Sequence, residues 1–162
     1  MATNNIRTLK TVETTSRVLG ELKDRGEAGV TELANELDIS KGAAYNHLAT
    51  LRKQGFVIKT NERYRLSHRF INYGRSVQNQ SLLYTVGKQY IDELAKKTGE
   101  YAHLMVEENG RGYYLYRSRG ENSIAEEFHK QKNQKPDYLH HCSTGKAILA
   151  KLPRQRVEEI IE

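Results

Sequence analysis

Tryptophan is absent from this 162-residue chain, and cysteine occurs once, as Cys142. A lone thiol excludes an internal disulfide and is the usage expected of a reducing, cytoplasmic compartment. No apolar run approaches the roughly 20 residues that a membrane-spanning helix needs. The N-terminal MATNNIRTLK lacks the apolar stretch of a secretory signal. There is no internal repeat. What remains, 37% hydrophobic and 28% charged, suits a globular chain with ordinary cores, arranged as one domain or two small ones.

Acidic residues are also in deficit, and the deficit is local. Residues 1–75 hold 13 Lys and Arg against 8 Asp and Glu, while residues 76–162 hold 13 against 12. Almost all of the net charge of +6 therefore lies in the first half. A cationic segment releases counterions from DNA, so the imbalance points to nucleic acid as a partner for that half. Mildly basic domains are common, and the charge alone does not decide the matter.

The pattern in the basic half gives it a form. Val12, Val18, Leu19 and Leu22 fall near helical spacing and predict a first helix over residues 8–24, with Thr8 or Thr11 as its cap. Gly26 and Gly29 break it. Thr31 then reads as the cap of a second helix with Leu33, Ala34 and Leu37 inward. Asp38-Ile39-Ser40 is a turn, and Ser40 caps a third helix over residues 41–53. Ala44, Leu48 and Leu51, with His47 beside them, face inward. Lys41, Gly42, Ala43, Tyr45, Asn46 and Ala49 face outward. Phe56-Val57-Ile58 and Tyr64-Arg65-Leu66, joined through Asn61-Glu62, predict a hairpin with Lys59, Arg63 and Arg65 near its tip. This is the layout of a winged helix-turn-helix, in which the second helix of the motif enters the major groove.

Beyond Ser67 the period is helical to about Gly99. Phe70, Ile71 and Tyr73 open a linker helix, and Leu82, Leu83, Val86, Tyr90, Ile91 and Leu94 mark a longer one. The apolar run from Phe70 to Leu94 reads as core or as a dimer interface. The period then falls to two. Residues 101–106 form a strand, Glu108 to Gly112 a turn, and Tyr113 to Tyr116 a second strand. Residues 117–137 show no period and read as a loop. Thr144–Ala150 and Arg154–Ile161 are short helices.

The segment Leu139-His140-His141-Cys142-Ser143-Thr144-Gly145-Lys146-Ala147-Ile148-Leu149-Ala150 resembles the L-H-x-x-x-x-G-K-A-x-L-A run of the IclR family of transcriptional regulators. Thr98-Gly99-Glu100-Tyr101-Ala102-His103-Leu104 resembles the same family, as does Ser40-Lys41 leading into the third helix. The resemblance covers nearly the whole chain, and the Gly145-Lys146-Ala147 segment is its most specific part. It implies an α+β fold. A winged helix-turn-helix spans residues 1–67, a linker helix 68–80, and the first half of a GAF-like effector and dimerisation domain 81–162. It also implies a dimer on double-stranded DNA, responsive to a small organic effector bordered by Cys142, Ser143 and Thr144. The chain departs from the family in two ways. Its effector domain stops about halfway, and Gly42-Ala43-Ala44 stands where relatives often carry hydroxyl or branched side chains.

The DNA-contacting candidates are Thr31, Ser40, Lys41, Gly42, Tyr45, Asn46, Lys59, Arg63 and Arg65. Asn pairs with adenine in the major groove, and Lys neutralises phosphate or reaches guanine. Tyr45 offers a hydroxyl and a ring. Ser40 sits at a helix N-terminus, where free N–H groups favour phosphate. A glycine at 42 lets backbone approach DNA. Each of these is also an ordinary solvated residue type. His140, His141 and Cys142, with His103 and His129, invite a metal reading. Neighbouring residues of a strand point to opposite faces, so His140 and His141 could not aim at one ion from a strand. A Cys–His nucleophile would need an orienting third group and an oxyanion pocket. Gly145-Lys146 lacks the upstream glycine of a phosphate loop. No enzyme activity, cofactor or metal is therefore expected, nor a membrane partner. The alternative to a DNA-binding regulator is a protein–protein interaction module that pairs with a full-length regulator and binds DNA poorly.

Overall fold

Val18, Leu22, Leu33, Leu48 and Val57 are all at most 1% exposed, and they build one core from three helices and a sheet. The computed structural model describes residues 7–124 and 136–161. They group into two units, residues 1–75 and 76–162.

In the first unit, α1 (Lys10–Arg25) leads into β1 (Glu27–Ala28), then α2 (Val30–Leu37) and α3 (Lys41–Lys53). The wing follows as β2 (Val57–Thr60) and β3 (Arg63–Leu66). The sheet order is β1-β3-β2, all antiparallel. Each large core side chain stabilises the unit by about 1.5–3 kcal/mol on burial. Ser40 caps α3, its Oγ accepting the Ala43 N–H at 3.1 Å. Asp38 makes the turn before it in the left-handed region, with φ 53°, a conformation that Asp tolerates better than most residues. At the wing tip Asn61 and Glu62 both have positive φ, the backbone of a tight two-residue hairpin. Ser67 Oγ donates to the Gly55 carbonyl at 2.7 Å and closes the wing's base.

α4 (Arg69–Gln80) begins beside that base. Phe56 lies 5.7 Å from Phe70 and 5.9 Å from Tyr73, ring centre to ring centre, and the Arg69 guanidinium covers Phe56 at 4.8 Å. The second unit contains α5 (Leu82–Thr98), capped by Ser81 through the Tyr84 N–H. A hairpin follows, β4 (Ala102–Glu108) and β5 (Arg111–Ser118), turning at Asn109-Gly110. β6 (Asp137–Tyr138) adds to β5. A single 3-10 turn at Leu139–His141 then leads to α6 (Ser143–Leu149) and α7 (Arg154–Ile161). Among the described residues no helix is long and apolar enough to cross a membrane.

Several expectations need correction. Leu9 is the N-cap of α1, without a side-chain bond, so neither Thr8 nor Thr11 caps it. Val12 is 57% exposed and lies outside the core. α2 starts at Val30 with Gly29 as its N-cap, which leaves Thr31 within the first turn. There the Glu32 carboxylate accepts the Gly29 N–H at 3.1 Å. Strand β1 was not foreseen, because two residues carry no period. β5 is longer than expected at both ends, and β6 falls in what read as loop. His140 and His141 lie in the 3-10 turn rather than a strand, with ring centres 4.2 Å apart edge to face. Residues 125–135 of the expected loop, with His129, lie outside the described residues.

Candidate nucleic-acid interface

The buried stripe of α3 fixes which of its side chains stand free. Ala44, Leu48 and Leu51 are buried, so the opposite face carries Lys41, Gly42, Tyr45 and Asn46 into solvent. Tyr45 is 54% exposed. Among the described residues Lys41 makes no ion pair, and the Asn46 amide makes no hydrogen bond. A rigid helix thus presents a cation, an amide and a phenol whose hydrogen-bonding capacity is unused. Ala43 and Ala49 are only partly exposed and leave the surface between them smooth.

Lys53 was missed. It lies seven residues beyond Asn46, so helical periodicity puts it on the same face, and it is exposed. That spacing was the signal that could have found it. Ser40 is exposed at the N-terminus of α3, although its hydroxyl oxygen is already used as the cap. Thr31 is exposed on α2.

The wing is less free than its sequence implies. Arg63 reaches back to α2 and β1. Its Nη1 and Nη2 donate to Glu32 at 3.0 and 3.1 Å, and Nη2 also donates to the Glu27 carbonyl at 3.2 Å. The Arg63 guanidinium, and after it the Gly29 N–H, hold the Glu32 carboxyl below its ordinary pKa. Lys59 pairs with Glu62 at 2.7 Å, which raises its pKa, and its ammonium lies 5.6 Å from the Tyr64 ring centre. Arg65 is half-buried and donates to the Leu66 carbonyl at 3.4 Å. Two of the three expected wing cations are therefore matched by carboxylates of their own unit.

The loop singled out in the second unit is built by close packing. Gly145 is buried, and a Cβ there would stand 2.1 Å from the Leu139 carbonyl oxygen, so only glycine lets α6 approach. Cys142 Sγ accepts the Gly145 N–H at 3.3 Å and so caps α6. Cys142 and Thr144 are half-buried and Ser143 is exposed. Nearby, the Tyr114 hydroxyl donates to Asp137 at 3.0 Å, and the His103 ring lies 5.2 Å from Tyr114. Burial first, then Asp137 and Cys142, push the Tyr114 phenol above its ordinary pKa. The phenol thus stays neutral, and a polar cluster adjoins the loop. Among the described residues no three His, Cys, Asp or Glu side chains gather as a metal cage.

Comparison with known proteins places both halves. Residues 13–59 match the family of bacterial regulatory proteins of the arsR type, and residues 75–162 match the C-terminal domain of bacterial transcriptional regulators of the IclR type. The chain is 35% identical over 156 residues to the probable HTH-type transcriptional regulator ArcR of Halobacterium salinarum, covering 96% of this chain and 59% of that one. It is 27% identical over 148 residues to the HTH-type transcriptional regulator KdgR of Escherichia coli, covering 90% and 55%. It therefore spans between half and three-fifths of these relatives' length. The IclR of Thermotoga maritima shares its fold with a TM-score of 0.68 at 24% identity, covering 95% of this chain and 62% of the other. An IclR homologue from Microbacterium hydrocarbonoxydans, solved with 4-hydroxybenzoate, does so with a TM-score of 0.72 at 18%, covering 94% and 64%.

Proposed function

The chain belongs to the IclR family of transcriptional regulators, and from that premise we propose that it binds double-stranded DNA as a dimer, with α3 in the major groove. The observation that carries the reading is the face of α3. Among the described residues the side chains of Lys41, Tyr45 and Asn46 are exposed and without partners, on a helix pinned from behind by Ala44, Leu48 and Leu51. Asn46 reads a base edge. Lys41, Tyr45 and the N-terminal end at Ser40 position the helix on phosphates, and Gly42 allows close backbone approach. Thr31, Lys59, Arg63 and Arg65 add backbone contacts, those of Lys59 and Arg63 attenuated by their carboxylate partners. In this layout residues 1–67 are the DNA-binding domain, 68–80 the linker helix and 81–162 the effector and dimerisation part. The compartment is the cytoplasm.

Dimerisation has a physical motive. Leu82, Val86, Tyr90 and Leu94 of α5 recur at helical spacing and are 48–76% exposed. An apolar stripe of this kind favours burial against another copy. The effector is a small organic acid bordered by Cys142, Ser143 and Thr144, with the neutral Tyr114 phenol beside Cys142. The 4-hydroxybenzoate bound to the Microbacterium homologue is of this chemical class. The comparisons do not favour a pairing module that reads DNA poorly.

The test is a fluorescence-anisotropy titration against DNA from upstream of the protein's own gene. Binding should weaken steeply with salt. Asn46→Ala should relax preference at one base position, by about 1–3 kcal/mol, whereas Lys41→Ala should weaken all sequences alike. A salt-independent titration would count decisively against the proposal.

A further inference from the structure

The flank of α3 that faces α1 holds a groove outside the contacts proposed above. Thr11 and Thr15 of α1 wall it on one side. Ala43, Asn46, His47 and Thr50 of α3 wall it on the other. Asn46, the proposed base reader, is thus also one lip of the groove.

A chain of hydrogen bonds decides what His47 offers there. Thr15 Oγ1 donates to the Thr11 carbonyl at 2.7 Å and lies 2.8 Å from His47 Nδ1. A hydroxyl has a single proton. We take that proton to go to the carbonyl, the shorter of the two contacts; only a lone pair then faces the imidazole, Nδ1 carries the ring hydrogen and Nε2 the lone pair. Neutral His47 therefore shows an acceptor at Nε2, which a phosphate oxygen repels. After protonation Nε2 becomes a charged donor. The Thr50 hydroxyl is occupied by the Asn46 carbonyl at 2.8 Å. Among the described residues the Thr11 hydroxyl has no partner. Among the described residues that line the groove, His47 is the one titratable group and none is a carboxylate.

Resting on the DNA-binding reading, we infer that this groove is a second seat for the DNA backbone. A phosphate oxygen is held by Nε2–H of protonated His47 and by the Thr11 hydroxyl, and the proton comes from solvent as DNA binds. Thr15 is the positioning residue, because it sets the tautomer. The consequence is a regulator whose grip on DNA tightens as pH falls.

A mixed-sequence duplex suffices as the probe, since phosphate contacts are independent of sequence. At constant ionic strength the full chain should bind it about tenfold more tightly near about pH 6 than near about pH 8. His47→Gln keeps a polar amide but cannot titrate, so it should bind equally at both. A two-bond proton–nitrogen correlation spectrum of the free protein at the higher pH should show the hydrogen on Nδ1 in the wild type. It should lose that preference in Thr15→Val. A flat wild-type profile, an undiminished pH dependence in His47→Gln, or a hydrogen on Nε2 would each overturn the inference while leaving DNA binding intact. Absence of binding at both pH values would instead overturn the DNA-binding reading beneath it.

Discussion

Glu32 of α2 holds Arg63 of the wing through two parallel hydrogen bonds, Nη1 to Oε1 at 3.0 Å and Nη2 to Oε2 at 3.1 Å. The fork geometry fixes where the guanidinium points and supplies its counter-charge before any DNA arrives. Among the described residues Lys41 has no such partner. The two cations should therefore behave differently, although both belong to the basic half. Lys41→Ala should reduce the slope of log affinity against log salt by about 1. Arg63→Ala should reduce it clearly less. Glu32→Gln should raise affinity at low salt by about two- to fivefold, by removing one of the wing cation's two counter-charges, the Glu27 carboxylate 2.7 Å from Nε remaining. Anisotropy titrations across a salt series read all three, and equal slope changes for Lys41→Ala and Arg63→Ala would contradict the clamp's role.

Ser40 has two tasks that a pair of substitutions can separate. Its Oγ accepts the Ala43 N–H, and the N-terminus of α3 is a proposed phosphate seat. Ser40→Ala should cost about 1 kcal/mol of stability through loss of the cap. Ser40→Asp keeps a capping acceptor and should hold stability to within a few tenths of a kcal/mol. It should nevertheless weaken DNA binding about tenfold or more, because a carboxylate would meet the phosphate. Urea midpoints and DNA titrations of the two variants should thus move in opposite order.

Gly145 is required by proximity. A methyl group there would stand 2.1 Å from the Leu139 carbonyl oxygen and 2.6 Å from its Cα, both backbone atoms that cannot swing aside. Gly145→Ala should destabilise the second unit by about 3 kcal/mol, the upper end of overpacking costs. In thermal unfolding followed by circular dichroism the second unit should melt earlier. Melting at the wild-type temperature would show that the turn and α6 can separate freely.

Glu107 gives the second unit a dependence on acid. It accepts the Gly110 N–H at 2.7 Å, and Arg156 Nη2 donates to the same oxygen at 2.7 Å. The Gly110 N–H lowers the Glu107 pKa from the ordinary 4.5; burial opposes it, and Arg156 adds to the lowering. A carboxyl whose pKa is lowered by folding adds stability that is fully present above 4.5 and is lost as pH falls through the lowered value. The melting temperature of the wild type should exceed that of Glu107→Gln at neutral pH, and the gap should close on acidification below the ordinary glutamate range. A gap that stays constant would mean that the carboxylate's charge is not what stabilises the hairpin turn.

The elements that were legible in the sequence are those whose signal is local. Ser40 and the alternation of Ala44, Leu48 and Leu51 with exposed residues define α3 with both ends correct. Asn61-Glu62 and Asn109-Gly110 mark their hairpin turns, because few residues accept positive φ there. The candidate face of α3 follows from the same periodicity. Strands β1 and β6 were not legible. Each is two residues long, and each exists because a neighbouring strand offers unpaired backbone. The exposure of Val12 was hidden because an apolar residue at helical spacing does not show whether anything packs above it.

The sequence by itself determined the order of helices and hairpins, the positive first half and the residues on the outer face of α3. Each of these depends on neighbours within a few positions or on simple counting. Only the tertiary structure decided which charges remain available. Glu27 and Glu32 are distant from Arg63 in the chain and are brought to it by the packing of α2 and β1 beside β3. Thr15 and His47 are 32 residues apart, and meet because α1 packs on α3. The physical reason is the same in both cases. Charge and hydrogen-bonding type belong to the residue, but whether they are spent inside the protein or offered to DNA depends on partners that only folding brings within reach.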